Sequence, residues 1–155
     1  MDPLLLFHNH LHIAKGLIEG RLLLLDKQEN IIVSKYTASS GMPGWQEADD
    51  ICVANKGSIP EQNKVDILYY LVGTEPIYHP IETGIEGFFF TIIPRTVTIK
   101  NVERGNLSIC QNVGSPGTSG EIAIMNKSGW ISFQQQIKKL NEDGMQYIPL
   151  LVSYS

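Results

Sequence analysis

Short apolar runs separated by polar turns dominate the first two-thirds of this chain. Leu22–Leu25 and Ile31–Thr37 flank the polar residues 27–30, and two apolar runs joined by a short polar turn predict a β-hairpin. Val65–Val72 is predicted to be a further strand. Phe88–Ile93 is too short for a typical helix and is bounded by glycine and proline, which predicts a strand buried on both faces.

A second hairpin is predicted across Val97–Gln111. Apolar and polar residues alternate on both sides of the turn 103–106, and period-two alternation around a polar turn is typical of antiparallel strands. We expect Glu121 to begin the next strand, so that its side chain approaches that of Cys110.

The spacing of apolar residues changes towards the C-terminus, where they recur at steps of three and four. These residues are Trp130, Phe133, Ile137 and Leu140. The pattern predicts a helix over about 130–143 with one buried stripe, and Gly144 stands where a helix C-terminal glycine belongs. Tyr147–Tyr154 is predicted to be a closing strand.

The composition favours one mostly β domain. The chain has 155 residues, which is the length of a single domain. It contains 19 Ile, 8 Val and 7 Thr against 5 Ala, a balance that favours pleated sheets over helices. We therefore expect a β-sheet scaffold with one helix near the C-terminus.

The N-terminal segment is predicted to lie apart from this domain. Leu4–Phe7 is apolar but precedes the first recognisable hairpin, so we divide the chain into an arm, 1–19, and a β domain, 20–155. An exposed apolar arm is costly in water. We therefore expect Met1–His12 to pack on another subunit of an assembly, by adding a strand to its sheet edge.

Charge and hydropathy exclude several classes of partner. The formal net charge is −4, which leaves no extended basic surface for nucleic acid. No apolar run approaches the roughly 18 residues that a membrane span needs. The first residues carry no basic segment and no small-residue cleavage site, so we expect no secretion signal and synthesis in the cytoplasm.

Three histidines alternate near the N-terminus: His8, His10 and His12. In an extended segment their imidazoles would share one face, but ligands in a row on one strand do not converge on an ion. A polar strand face or a contact surface is the preferred interpretation over a metal site. His79 gives no stronger signal, and no metal or cofactor is predicted.

The other candidate groups have simple structural explanations. Cys52 and Cys110 are too few for a disulfide framework, and inert burial is preferred over a nucleophilic role. The loop 114–120 is glycine-rich but lacks the Gly-Lys-Ser/Thr ending of a phosphate-binding loop. Three carboxylates could serve as acid or base, but their expected positions are on the surface: Glu82, Glu86 and Glu121.

Four blocks of sequence together resemble the L,D-transpeptidase (YkuD-like) catalytic domain, especially its compact variants in small cell-wall-active and phage proteins. The blocks are Leu22–Asp26, Ala38–Gly44, Lys56–Glu61 with Tyr69–Tyr70, and Arg104–Ile124. In that family a histidine withdraws the proton of a cysteine thiol, which forms a thioester with a peptidoglycan stem peptide. Here Cys110 occupies the position of the histidine and Glu121 that of the cysteine.

This departure from the family pattern implies that the scaffold was kept and acyl transfer was lost. The resemblance then implies a non-catalytic structural or binding module, a subunit of an assembly such as a phage tail or baseplate, in a virion or another extracellular assembly. The alternative is a peptidoglycan-acting enzyme, either a hydrolase with Glu121 as base or a transpeptidase variant using Cys110 or Cys52. Peptidoglycan remains an expected partner under both interpretations.

Overall fold

The structure is a computed structural model that describes residues 1–79, 87–112 and 117–155. These residues form eleven strands, one α-helix and two short 3₁₀ turns at Ala48–Cys52 and Gln62–Lys64. The elements are β1 (Pro3–Asn9), β2 (Gly20–Asp26), β3 (Ile31–Ser40), β4 (Tyr70–Gly73), β5 (Ile77–His79), β6 (Gly87–Ile93), β7 (Val97–Ile99), β8 (Val102–Arg104), β9 (Ser108–Gln111), β10 (Ile122–Ile124), α1 (Lys127–Glu142) and β11 (Tyr147–Tyr154).

Eight strands form a closed, barrel-like sheet. Their order is β4–β11–β1–β2–β3–β10–β9–β6, and β4 also pairs with β6 to close the ring. The neighbours β1 and β11 are parallel, as are β9 and β10, and the other pairs are antiparallel. Strand β5 joins β6 alone, and β7 pairs with β8 in a separate hairpin. The prediction of a mostly β domain with one helix is confirmed.

Helix α1 packs its predicted apolar stripe into the core. The Asn126 side chain accepts a hydrogen bond from the Gly129 N–H at 2.6 Å, which caps the first turn. At the other end Gly144 has a φ of 91°, the left-handed conformation that commonly terminates a helix. The four predicted stripe residues are all buried, and Phe133 contacts Tyr36 edge to face. No helix among the described residues is long and apolar enough to cross a membrane.

The expectation of a separate N-terminal arm is wrong. Residues Pro3–Asn9 form β1, which lies inside the sheet between β11 and β2. Leu5 and Phe7 are fully buried in the main core. One of its two partner strands, β11, lies at the far end of the sequence, so the local pattern does not reveal this pairing. The segment that was expected to pack on a neighbour therefore belongs to the chain's own sheet.

The predicted hairpin across 97–111 has a different pairing. Val97 pairs with Arg104, and the turn falls at Lys100 and Asn101, whose φ angles of 47° and 65° are left-handed. Strand β9 leaves this hairpin and pairs with β6 and β10 instead. The residues 103–106 that were predicted to form the turn thus include the end of β8.

Two other strand predictions hold only in part. In the segment Val65–Val72 the strand begins at Tyr70, after a residue with left-handed backbone, Asp66. The strand β6 is present, but it is covered on both faces only at its centre. There Phe89 and Phe90 are buried, whereas Phe88 and Ile93 near its ends are 45% and 37% exposed. The Leu22–Thr37 hairpin and the closing strand form as predicted.

Candidate functional site

The parallel pair β9 and β10 brings Cys110 and Glu121, the two positions singled out by the resemblance, to one part of the sheet. Cys110 is the register partner of Ala123, and Glu121 immediately precedes β10. The Cys110 side chain packs with Phe89 and Ala123 and is 3% exposed. Burial raises the pKa of the Cys110 thiol, and the negative charge of Glu121 raises it further. A thiol in this environment stays protonated at neutral pH.

The Glu121 carboxylate is bound within its own turn. The Ser119 N–H donates to Glu121 Oε2 at 3.0 Å, and the Ser119 hydroxyl donates to the same carboxylate. The Thr118 hydroxyl donates to the Glu121 carbonyl at 2.6 Å. Glu121 is 6% exposed. These bonds hold the carboxylate as a structural acceptor that fixes the turn before β10.

Arg104 lies fully buried beside this turn and binds backbone carbonyls from two segments. Its guanidinium donates to carbonyl oxygens of the 51–58 loop and of the 117–121 turn. The acceptors are the carbonyls of Ile51, Gly57, Ser58 and Ser119. Arg104 and these four carbonyls are called the Arg104 cluster below. Burial lowers the pKa of Arg104, and electrostatic interactions with nearby groups, Tyr154 first, oppose that shift.

Glycine makes the close approach in the Arg104 cluster possible. Gly120 has a φ of 132°, and a Cβ added there would lie 2.7 Å from Arg104 Nη2. A Cβ at Gly57 would lie 1.8 Å from the Asp50 carbonyl oxygen. Both positions therefore need glycine, one for its backbone angle and one for space.

Sequence reasoning missed the role of Arg104. The pattern predicts Arg104 in a hairpin turn, where an arginine is expected in solvent, whereas the side chain is 1% exposed. The sequence pattern places Gly57 and Gly120 in loops and gives no further role to either. A glycine facing an arginine in space leaves no spacing signal in the sequence, because the two are brought together by the fold.

Cys52 lies apart from Cys110, in a small cavity of about 250 Å³. It is half-buried and packs against the cluster of Leu11, Ile51 and Ile99. Tyr154 and Lys64 also line the cavity. Both cysteines are free thiols. The expectation of inert burial thus fits Cys110 better than Cys52.

The three N-terminal histidines do not form one row on a strand. Strand β1 ends at Asn9, so only His8 lies on it. The rings of His10 and His12 stack with centroids 5.0 Å apart, and His12 Nδ1 donates to the His10 carbonyl. All three side chains are exposed beside a cavity of about 490 Å³. Within the described ranges, no group of three His, Cys, Asp or Glu side chains is arranged to hold a metal ion.

The largest of these cavities contains none of the residues singled out from the sequence. It measures about 610 Å³ and is lined by Thr74, Ile77, Asn141 and Tyr147 among others. His79 ends β5. Glu82, Glu86 and the first part of the glycine-rich loop lie outside the described residues.

Comparisons with known proteins identify no relative of this chain. Neither the protein-family models, nor the characterised proteins, nor the solved structures compared with this chain gave a match.

Proposed function

We propose that this chain is a non-catalytic binding or structural module on an L,D-transpeptidase-like scaffold, acting as a subunit of a larger assembly. One observation carries the proposal: both groups at the family's catalytic positions are buried and committed to internal contacts. Acyl transfer through a thioester needs a thiolate and a nearby base that accepts its proton. Cys110 is a protonated, buried thiol, and Glu121 accepts hydrogen bonds from Ser119.

The chemical setting supports a structural use of this region. A reactive cysteine lies in a partly exposed environment that lowers its pKa, and Cys110 has the opposite environment. The carboxylate of Glu121 accepts hydrogen bonds from Ser119 and so orders the turn that precedes β10, beside the carbonyls bound by Arg104. The resemblance to compact phage and cell-wall proteins makes a virion component that meets peptidoglycan the setting we propose for the assembly.

Thiol labelling tests this proposal directly. In Cys52→Ser, where Cys110 is the remaining thiol, iodoacetamide should label the folded protein at least about tenfold more slowly than the urea-unfolded protein. The matched variant Cys110→Ser leaves Cys52, which is half-buried and should react faster. Rapid labelling of Cys110 in the folded protein contradicts the proposal.

Incubation with purified peptidoglycan separates the module from the alternative enzyme. Mass spectrometry of the soluble fraction should find no fragments beyond a buffer control, and Glu121→Gln should behave like the unsubstituted chain. Released fragments that disappear in Glu121→Gln or in Cys110→Ser would establish the enzyme instead. Co-sedimentation with the insoluble peptidoglycan, measured in the same tubes, reports binding without turnover.

A further inference from the structure

The cavity of about 610 Å³ lies on the outer face of the sheet, beside β11, β4 and β6. Tyr147 pairs with Gly73 in the strand register, and a Cβ built at Gly73 would lie 3.9 Å from the Thr91 carbonyl oxygen. The next residues along two of these strands, Val72 and Ile92, are fully buried in the core. Because side chains alternate across a strand, Tyr147, Gly73 and Thr91 face away from the core. They form the floor of this cavity, which is called the Thr91 cavity below.

The floor contains a hydroxyl group with unused hydrogen-bonding capacity. Within the described part of the chain, Thr91 Oγ1 is buried and has no hydrogen-bond partner, and the same is true of Ser108 Oγ. Ser108 is the cross-strand partner of Thr91 and is 1% exposed. A rotation of Thr91 about χ1 by one staggered step moves its hydroxyl to the place of its methyl group, which brings the hydroxyl to the cavity surface. Buried polar groups nearly always have partners, so these two hydroxyls indicate a ligand that supplies one.

The walls of the Thr91 cavity combine side-chain amides with apolar groups. Asn141, near the end of α1, donates from Nδ2 to Thr74 Oγ1 at 2.9 Å, which fixes one amide at the wall. Gln146 supplies a second amide. The apolar part of the wall consists of Pro76, Ile77 and Ile93. Among the described residues that line the cavity, Glu75 alone is charged, so a phosphate or carboxylate would find no cation there to pair with.

This lining matches a molecule with an apolar ring face and a rim of hydroxyl groups, which is the chemistry of a sugar. A hydroxyl both donates and accepts, so sugar hydroxyls satisfy the Thr91 hydroxyl and the two amides at once. The Tyr147 side chain is 48% exposed, and its ring offers a flat apolar surface to the C–H face of a sugar. A purely apolar ligand would leave the polar groups without partners. The cavity volume lies within the range of roughly 300–1,000 Å³ for small-molecule sites.

The position of the Thr91 cavity argues against an extended peptide as its ligand. A peptide that adds to a sheet bonds to free backbone groups at a strand edge. Strand β4 is paired with β11 on one side and with β6 on the other, and the Thr74 N–H donates to the Gln146 carbonyl at 3.0 Å. Recognition at the floor therefore comes from side chains.

We propose that the Thr91 cavity binds a short stretch of neutral, N-acetylated glycan. The N–H and C=O of an acetamido group complement the side-chain amides of Asn141 and Gln146, each of which both donates and accepts. The inference deepens the proposed function, and its choice of an amino sugar rests on that function, because the glycan strand of peptidoglycan is built from N-acetylated sugars. It does not depend on the chemistry of Cys110 or Glu121.

Titration calorimetry with chitotriose, a trimer of N-acetylglucosamine, tests the site in the full chain. Chitotriose should bind with a Kd at or below about 1 mM. Cellotriose, a trimer of the same linkage without acetamido groups, should bind at least about tenfold more weakly, because the two amides lose their partners.

Filling the floor should block the site without disturbing the sheet. The Cβ built at Gly73 has open space around it, and valine is a good strand former. Gly73→Val places its side chain where the sugar would lie and should weaken chitotriose binding at least about tenfold. The control Gly16→Val, at a glycine with no atom within 4 Å of an added Cβ and outside this cavity, should leave binding unchanged.

Thr91→Val separates a binding role from a structural one. It removes a hydroxyl that has no partner in the free protein, so the variant should be at least as stable as the unsubstituted chain in urea, yet it should bind chitotriose about tenfold more weakly. The control Thr98→Val makes the same change at an exposed threonine on β7 and should not alter binding.

The Tyr147 ring is tested against a tyrosine of equal exposure. Tyr147→Ala should weaken chitotriose binding, whereas Tyr69→Ala, also at a 48% exposed residue but outside the cavity, should not. Circular dichroism of each variant verifies the fold. If Gly73→Val unfolds, Thr91→Val and Tyr147→Ala decide.

Three outcomes overturn the inference. They are no binding of chitotriose at about 10 mM, binding that the three cavity variants leave unchanged, and binding of a peptidoglycan stem peptide that Gly73→Val abolishes. Co-sedimentation with peptidoglycan in the absence of chitotriose binding means that the inference fails and the proposed function stands. Binding of chitotriose without co-sedimentation means that the glycan site stands and the peptidoglycan role fails.

Discussion

The α1 core and the Arg104 cluster are both buried, but they are held together by different physics. Around α1, the rings of Trp130, Phe133 and Phe90 stack or meet edge to face at centroid distances of 5.5–6.0 Å. Their stabilisation comes from removal of apolar surface from water and from dense packing. In the Arg104 cluster, one buried cation donates hydrogen bonds to carbonyls of two separate segments. Each of these bonds requires the others to hold the guanidinium in place.

This difference determines how each region responds to change. A core of many small contacts loses stability in proportion to the volume removed. When the hydrogen-bond partners of a buried charge move, the charge and the polar groups around it are left unsatisfied in a low-dielectric environment. The resulting loss of stability is large even for a small displacement. We therefore expect the Arg104 cluster to be the less tolerant of the two regions.

Removal of the Arg104 charge should produce the largest loss. Arg104→Met keeps much of the side-chain volume but leaves four buried carbonyls without their donor, and should cost about 5 kcal/mol of unfolding free energy. Urea unfolding followed by circular dichroism measures this cost. The control Arg95→Met removes an exposed guanidinium that lies 5.5 Å from the Phe89 ring, and should cost about 1 kcal/mol or less. Equal losses in the two variants would remove the distinction between the regions.

Truncation of a buried side chain in the α1 core should produce the second-largest loss of stability. Phe133→Ala should cost about 4 kcal/mol, because a fully buried ring is lost beside Tyr36 and Phe90. The control Ile131→Ala, on the same helix at a residue that is 44% exposed, should stay below about 1 kcal/mol. Urea unfolding of both variants provides the comparison. A Phe133→Ala variant as stable as the control would mean that α1 does not hold the core.

The same contrast explains how much of the molecule the sequence predicts. The stripe of α1 and the hairpin of β2 with β3 follow from local periodicity, since neighbours in space are also near in sequence. The pairing of β1 with β11 and the contacts of Arg104 join segments distant in sequence, for which periodicity carries no information. The sequence predicts that Glu121 begins the next strand, and β10 begins one residue later, at Ile122. The hydrogen bonds from Ser119 that occupy the Glu121 carboxylate were not predicted, because they depend on the backbone geometry of the turn.

A methyl group at Gly120 tests the fit of the Arg104 cluster without removing its charge. Gly120→Ala places a Cβ 2.7 Å from Arg104 Nη2 at a φ of 132°, and should cost about 2–3 kcal/mol. Gly16→Ala, where no atom lies within 4 Å of the added Cβ, should cost close to nothing. Thermal unfolding of the two variants measures the difference. If Gly120→Ala is as stable as Gly16→Ala, the turn 117–121 adjusts freely and the cluster is looser than its contacts imply.

The smallest effect is expected at Asp26, a buried carboxylate in neither region. Its Oδ1 accepts from the N–H groups of Asp2 and Gln28, each at 3.0 Å, and the bond from Asp2 is the main reason that its pKa lies below the ordinary value. A depressed pKa in the folded state stabilises the protein above the pKa of the unfolded chain, and this contribution disappears as the pH falls through the folded value. Asp26→Asn should therefore lower the urea midpoint slightly at pH 7, and the difference should shrink steadily below about pH 4. If the difference in urea midpoint between the two proteins stays constant with pH, or widens in acid, the ionised form of Asp26 contributes nothing to stability. Hydrogen-bond acceptance, which asparagine also provides, would then be enough at this end of β2.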